Sequence, residues 1–156
     1  RDVLDVVHMQ YYNSGTQLVY EGHRLFKREF VVTKGTPDFV VALSEMLILG
    51  FPVAMDPKQF FPGLGADKIA IGLPARPDAA PGGGYLARSQ LQAAITYLRT
   101  GKAGYKTSYR LRQRGGHPTL AGLMTWSINW DANRDGGSQP YSFAQNAQRL
   151  WGQTPP

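Results

Sequence analysis

The sequence contains no cysteine, so no disulfide framework can stabilise the fold. It also lacks an apolar run of the roughly 18 residues that a membrane-spanning helix needs. Charged residues are scarce, at 18% of 156 positions, while hydrophobic residues reach 42%. This balance excludes a disordered chain and a coiled coil, and it indicates one globular domain with its own core. The 18 glycines and 11 prolines predict many loops.

Three segments have the apolar, β-branched character of buried strands. Residues 3–12 predict a strand that is buried on both faces, and residues 68–74 and 120–128 predict the second and third strands. On the first strand, the face that carries His8, Gln10 and Tyr12 becomes more polar toward the C-terminal end, which a purely structural face does not require.

A helix is predicted after each strand. The first is capped by Thr36 and closed by Gly50, and the second begins near Leu86 and is closed by Gly101. A short extended piece, residues 26–33, precedes the first helix, and the last helix covers residues 141–150. Because strands and helices alternate, we predict an α/β fold with a parallel sheet and helices outside it.

Several local motifs suggest ligands, but each has a simpler interpretation. DANRDG, residues 131–136, resembles the start of a calcium loop, yet Ser142 occupies the twelfth position, where a glutamate is needed. A turn rich in aspartate and asparagine explains it more simply. The glycine run 82–84 lacks the spacing of a phosphate loop, which favours a flexible loop after a strand. None of the three histidines, His8, His23 and His117, has metal-ligand spacing, so we expect no metal site.

The net charge of +6 leaves nucleic acid or an anionic surface open as partners. The basic residues concentrate in one run without an intervening acid: Arg99, Lys102, Lys106, Arg110, Arg112 and Arg114. No nucleic-acid motif accompanies the run, so a solvated helix end and loop is the favoured interpretation. A nucleic-acid binder ranks behind the alternatives below.

The strand ends carry a stronger signal. Chemistry in parallel βα sheets is found at the C-terminal ends of the strands. Gln10, Tyr12 and Asn13 end the first strand, and Met124 and Trp126 share a face at the end of the third. Packed aromatic side chains are one explanation. The other is a sugar site, because an indole offers a stacking plane while a phenol and an amide can bind hydroxyl or acetamide groups.

Three stretches together resemble a known family: VVHMQYYNSG, KIAIGLPARPDAAPGGGYL and GLMTWSINWD. Their order and spacing are similar to strands six, seven and eight of the (β/α)8 barrel of glycoside hydrolase family 18 chitinases, nearest to the bacterial enzymes with a hevamine-like barrel. The resemblance implies that residues 1–151 are the C-terminal portion of one TIM-barrel catalytic domain. Residues 152–156 would be a tail or the start of a linker.

The resemblance also implies a reaction. The substrate would be chitin or its N-acetylglucosamine oligosaccharides, and the β-1,4 linkage would be cleaved with retention and substrate assistance, outside the usual two-carboxylate scheme. Tyr12 matches the tyrosine that hydrogen-bonds the reacting acetamide, and Trp126 matches the floor of the −1 subsite. Gln10, Asn13 and Met124 complete the implied substrate-binding set. No cofactor, metal, nucleic acid or membrane is implied, and the enzyme would be extracellular, although the sequence begins without a signal peptide.

The family's catalytic signature, Asp-x-x-Asp-x-Asp-x-Glu on strand four, is absent. Asp2 and Asp5 match the first two aspartates of the signature, but Val7 and Met9 occupy the positions of its third aspartate and its glutamate. We therefore expect an inactive segment of a larger chitinase, whose missing N-terminal half would be its partner. The alternative is a non-catalytic relative that binds chitin. In either case, three strand–helix units would leave an open sheet edge and a bare apolar face.

Overall fold

The computed structural model describes residues 3–15, 18–21, 29–133 and 139–152. The strands are β1 (Val7–Gln10), β2 (Leu18–Glu21), β3 (Glu29–Val32), β4 (Phe51–Pro52), β5 (Phe60–Phe61), β6 (Ile69–Pro74) and β7 (Gly122–Trp126). The α-helices are α1 (Pro37–Leu49), α2 (Arg88–Thr100), α3 (Ile128–Ala132) and α4 (Ser142–Gly152). None of the described helices is long and apolar enough to cross a bilayer.

The central sheet is parallel and has the strand order β1–β6–β7. Antiparallel pairs form two small sheets beside it, β2 with β3 and β4 with β5. The predicted α/β class and its three strand–helix units are therefore confirmed within the described residues. The predicted extended piece at 26–33 contains β3, while its residues 26–28 lie outside the described part of the chain.

Helix α1 has the ends that its sequence predicts. The Thr36 hydroxyl oxygen accepts a hydrogen bond from the Phe39 N–H at 3.3 Å. At the other end the Gly50 N–H donates to the Met46 carbonyl at 2.7 Å, with φ at 87°, a value that favours glycine. The helix buries Phe39 and Val40, and also one carboxylate, Glu45.

Helix α2 packs beside α1 and begins at Arg88, two residues later than expected. All four residues of its predicted apolar stripe are buried: Leu91, Ala94, Ile95 and Leu98. Each large aliphatic side chain in such a stripe stabilises the fold by about 1.5–3 kcal/mol relative to exposure. The core of the domain lies between these helices and the side chains of Ile69, Ile71 and Leu73 on β6.

The predicted burial of residues 3–12 on both faces is wrong. Only residues 7–10 form β1, and its side chains alternate between partly buried and exposed. Val7 and Met9 face the helices, whereas His8 and Gln10 are exposed on the opposite face. No described element covers that face of β1, which is an edge strand of the sheet. The open edge and the bare face were expected from a three-unit sheet.

The third strand is shorter than predicted, because the chain turns into α3 at Ile128. The peptide bond between Trp126 and Ser127 is cis. The short strands β4 and β5 and the helix α3 have no counterpart in the sequence-based prediction. Two-residue strands are too short to leave a periodic signal.

The basic run is only partly solvated, so its favoured interpretation needs correction. Arg99 is buried, donates to the Leu150 carbonyl and lies 5.0 Å from the ring centre of Trp151. Arg112 donates to the carbonyl oxygens of Glu45 and Gly50 at 2.9–3.1 Å. Apart from Arg99, the members of the run are exposed: Lys102, Lys106, Arg110, Arg112 and Arg114.

Candidate active site

The C-terminal ends of the three parallel strands meet at one edge of the sheet. The strand register aligns Gln10 with Gly72, and Gly72 with Met124. Aligned residues of neighbouring strands project to the same face, here the one opposite α1 and α2. Strands β1 and β7 flank β6, so side chains at the same level lie about 9–10 Å apart, two strand spacings.

Gly72 makes room for Met124 in the middle of this row. A Cβ on Gly72 would lie 2.7 Å from the Met124 methyl carbon and 2.7 Å from the Met9 carbonyl oxygen. The Met124 side chain therefore lies over the backbone of β6 and is partly buried. A glycine in a strand interior commonly marks such a close approach.

Trp126 lies one step further along the same face and pairs with Pro74. Its carbonyl accepts a hydrogen bond from the Ala75 N–H at 3.0 Å, which fixes its backbone to the neighbouring strand. The indole is 54% exposed, although tryptophan usually buries most of its surface. An exposed indole at the end of a strand provides an apolar plane that a ligand can lie on.

Tyr12 lies beyond the last residue of β1 and is only 5% exposed. Within the described residues, its hydroxyl has no hydrogen-bond partner. Burial raises the pKa of the Tyr12 phenol above its ordinary value of 10.0. The group is therefore a neutral hydrogen-bond donor at neutral pH.

Gln10 and Asn13, the other two residues predicted at this end of β1, make contacts within the chain. The Gln10 amide nitrogen donates to the Tyr12 carbonyl at 2.9 Å. The Asn13 side-chain oxygen accepts from the Gly82 N–H at 2.8 Å, and the Asn13 N–H donates to the Gly83 carbonyl at 3.0 Å. Both side chains are therefore held in place by hydrogen bonds within the chain itself.

Asp131, the first residue of the calcium-like motif, caps a helix. Its carboxylate accepts from the N–H groups of Phe143 at 2.8 Å and Ala144 at 3.0 Å, at the start of α4. Residues 134–136 of the motif lie outside the described part of the chain. Among the described residues, no three histidine, cysteine, aspartate or glutamate side chains group as metal ligands do.

His117 also has a structural partner. Its Nε2 atom lies 3.0 Å from a carboxylate oxygen of Glu45, and both side chains are buried. His8 is exposed on the open face of β1, and His23 lies outside the described residues. The site at the strand ends thus consists of Tyr12 and Trp126 with their neighbours, and its chemistry is that of hydrogen bonding and stacking.

The chain is similar to known proteins in sequence and in fold. Chitinase D of Niallia circulans is 46% identical over 132 residues, which are 85% of this chain and 24% of that protein. A family GH18 chitinase from Chromobacterium violaceum superimposes with a TM-score of 0.79 at 34% identity, over 98% of this chain and 37% of the other. A putative chitinase A from Streptomyces coelicolor gives 0.69 at 34% identity, over 97% and 42%.

The chain is similar to a part of the chitinases of glycoside hydrolase family 18. It corresponds to the C-terminal part of that family's chitinases. No protein-family model matches the sequence. The chain spans about a quarter of the length of Chitinase D. Its α/β fold is that of a segment from a TIM-barrel family, as the resemblance implied.

Proposed function

We propose that this chain forms strands six to eight of a family 18 barrel, with their helices, and that the barrel hydrolyses chitin. Residues 1–151 would be the C-terminal portion of the catalytic domain, and residues 152–156 a tail or linker. The observation that carries the proposal is the pair of Tyr12 and Trp126 at the C-terminal edge of one parallel sheet. The 46% identity to a chitinase over 132 residues supports it.

In this proposal the N-acetylglucosamine ring at the cleavage point lies on the Trp126 indole. The neutral Tyr12 hydroxyl donates to the oxygen of the sugar's own acetamide group and holds that oxygen in line with the anomeric carbon. The acetamide oxygen attacks this carbon as the glycosidic bond breaks, and water later opens the intermediate, so the configuration is retained. By holding the attacking oxygen in line with the anomeric carbon, this hydrogen bond lowers the barrier through proximity and orientation.

The general acid belongs to the part of the barrel that this chain lacks. A glutamic acid at the end of strand four would protonate the leaving oxygen. The N-terminal half would pair with the edge of β1 and cover its open face. It would also cover the residues just before β1, where Val3, Leu4 and Val6 are exposed. An unpaired edge strand beside exposed apolar residues favours association with further strands. The assembled enzyme would act on extracellular chitin and would need no cofactor.

The test compares this chain alone with a reconstituted enzyme. In the reconstituted enzyme, this chain replaces the matching segment of Chitinase D, so the remainder of that protein supplies the rest of the barrel. We expect the chain alone to release no fluorophore from a fluorogenic chitotrioside, and the reconstituted enzyme to release it. Hydrolysis by the isolated 156 residues would refute the proposal, because it places the general acid outside them.

A second candidate is a non-catalytic chitin-binding relative, favoured by the exposed Trp126 plane. The catalytic and the non-catalytic candidate differ at one residue, which lies at the end of strand four in the protein that contains this segment. Glutamate there supports catalysis, whereas glutamine or an apolar residue supports binding alone. Chitin retention by that protein without hydrolysis would decide for the second candidate.

A further inference from the structure

The loop after β6 packs its glycines directly on the residues that follow β1. Asn13 makes two hydrogen bonds to it, one through its side chain to Gly82 and one through its backbone to Gly83. Asn13 has φ at 51°, a left-handed conformation that asparagine tolerates better than most residues. The glycine run therefore has a structural partner, which its sequence did not reveal.

Gly84 makes the closest approach. A Cβ on this residue would lie 2.6 Å from the Cα of Tyr12 and 2.7 Å from the Tyr11 carbonyl oxygen. Its φ of 108° is also one that side-chain-bearing residues rarely adopt. Only glycine lets the loop backbone lie directly against the backbone of Tyr12.

Lys34 holds the same segment from another direction. Its ammonium group donates to the Ser14 carbonyl at 2.7 Å. A Cβ on Gly83 would lie 3.4 Å from the Lys34 Cε atom, so the lysine stem passes beside the glycine loop. Residues 12–14 are thereby held by contacts from two separate parts of the chain.

These contacts take the place of the sheet hydrogen bonds that Tyr12 lacks. Strand β1 ends at Gln10, and the bond from the Tyr11 N–H to the Gly72 carbonyl, 3.0 Å long, continues the pairing one residue further. Beyond it, the backbone is held by the Gln10 side chain on the Tyr12 carbonyl, by the loop and by Lys34. We propose that Lys34, Asn13, Gly82 and Gly84, here called the glycine clamp, position the Tyr12 hydroxyl for its role in the reaction.

The inference rests on the proposed function, and its members are positioning residues rather than catalytic ones. Misplacing a reacting group by about 1 Å can cost on the order of 10²-fold in rate. Gly84→Ala in the reconstituted enzyme should lower kcat by about tenfold or more and leave KM within about twofold. Gly104→Ala is the matched control, because a Cβ at Gly104 meets no atom within 4 Å.

Two further comparisons separate positioning from a general loss of structure. In a Tyr12→Phe background, Gly84→Ala should cause little further loss of kcat, since its effect would act through the missing hydroxyl. Asn13→Asp keeps the acceptor for the Gly82 N–H and should retain more activity than Asn13→Gly, which removes it but tolerates the left-handed backbone. Lys34→Met keeps the stem and should lower kcat several-fold, so the test continues if Gly84→Ala fails to fold.

A measurement without catalysis completes the test. With 3-fluorotyrosine at position 12, the ¹⁹F resonance should shift or broaden in Gly84→Ala, or in Lys34→Met, but not in Gly104→Ala. An unchanged resonance, or Gly84→Ala kinetics equal to those of Gly104→Ala, would overturn the clamp. The wild-type reconstituted enzyme could instead be inactive while the clamp variants still displace the ¹⁹F resonance. That result would refute the proposed function and leave the positioning of Tyr12 intact.

Discussion

Glu45 and His117 share a buried hydrogen bond of 3.0 Å, although 72 positions separate them in the sequence. The same carboxylate accepts from the Tyr109 hydroxyl and the Arg112 N–H, both at 2.8 Å, and from the Gln113 N–H at 3.1 Å. One side chain of α1 therefore organises the connector between α2 and β7. A buried carboxylate is tolerated only when its oxygens are satisfied in this way.

Replacing Glu45 should destabilise the protein strongly. Glu45→Ala leaves several buried donors without an acceptor, each at a cost of about 1–3 kcal/mol, and we expect a total of about 3–5 kcal/mol. Urea unfolding of the reconstituted enzyme measures the change, with Asp67→Asn, at an exposed position, as the control. A loss below about 1 kcal/mol would show that the network contributes little.

Stability should fall in acid through two carboxylates of α1. Burial alone would raise the pKa of Glu45, but hydrogen bonds from His117, Arg112, Gln113 and Tyr109 outweigh it and hold the pKa below its ordinary value of 4.5. Asp38 likewise has its pKa lowered below 3.8, because hydrogen bonds from Ser108, Thr107 and Tyr105 outweigh burial.

A folded-state pKa below the unfolded one means that the unfolded chain binds more protons, so stability decreases as pH falls. The contribution of both carboxylates is complete above their ordinary values of 4.5 and 3.8 and is lost as pH falls through the lowered values. When Tm is measured from pH 7 to pH 3, it should decrease once the pH is below about 4.5. In Asp38→Asn this decrease of Tm should be smaller. An equally steep decline in Asp38→Asn would exclude Asp38 as a cause.

Asp131 should behave as a helix cap. Asp131→Ala removes the acceptor of the Phe143 and Ala144 N–H groups and should cost about 0.5–2 kcal/mol, whereas Asp131→Ser should lose less. Thermal unfolding measures both variants. Millimolar calcium should leave the Tm of the wild-type protein unchanged, and a clear rise would instead support the calcium-loop interpretation.

The sequence predicted those elements whose signal is local. Helix α1 has its cap, its apolar run and its closing glycine in consecutive positions, and β6 is a compact apolar run, so both agree with the structure. The burial of β1 could not be predicted correctly, because it depends on which elements pack on its faces, and no described element covers the face of His8 and Gln10. Lone charges inside apolar segments, such as Glu45, were the available signal for the buried network.

The candidate site was less predictable from the sequence than the secondary-structure elements. The strand-end rule brought Gln10, Tyr12, Met124 and Trp126 to one edge of the sheet, where the structure has them. Their roles toward a substrate stay predictions. The contact between Asn13 and Gly82 joins positions 69 residues apart and depends on a left-handed backbone, which no local pattern indicates.

Trp126→Ala in the reconstituted enzyme should weaken substrate binding. An indole buries roughly 150–250 Å², and at about 25 cal/mol per Å² its loss costs several kcal/mol at most. Because stacking acts on ground state and transition state alike, KM should rise more than kcat falls. Trp126→Phe, which keeps a smaller ring, should have a KM between those of the wild type and Trp126→Ala. An unchanged KM in Trp126→Ala would show that the exposed indole is no sugar platform.

The central claim is that the Tyr12 hydroxyl acts on the substrate's acetamide group, and Tyr12→Phe in the reconstituted enzyme tests it most directly. The variant keeps the ring and removes one hydrogen-bond donor. Steady-state kinetics on a fluorogenic chitotrioside should show kcat lowered by about 10²-fold or more, with little change in KM. A raised KM with kcat intact would contradict the account and make Tyr12 a part of the pocket wall.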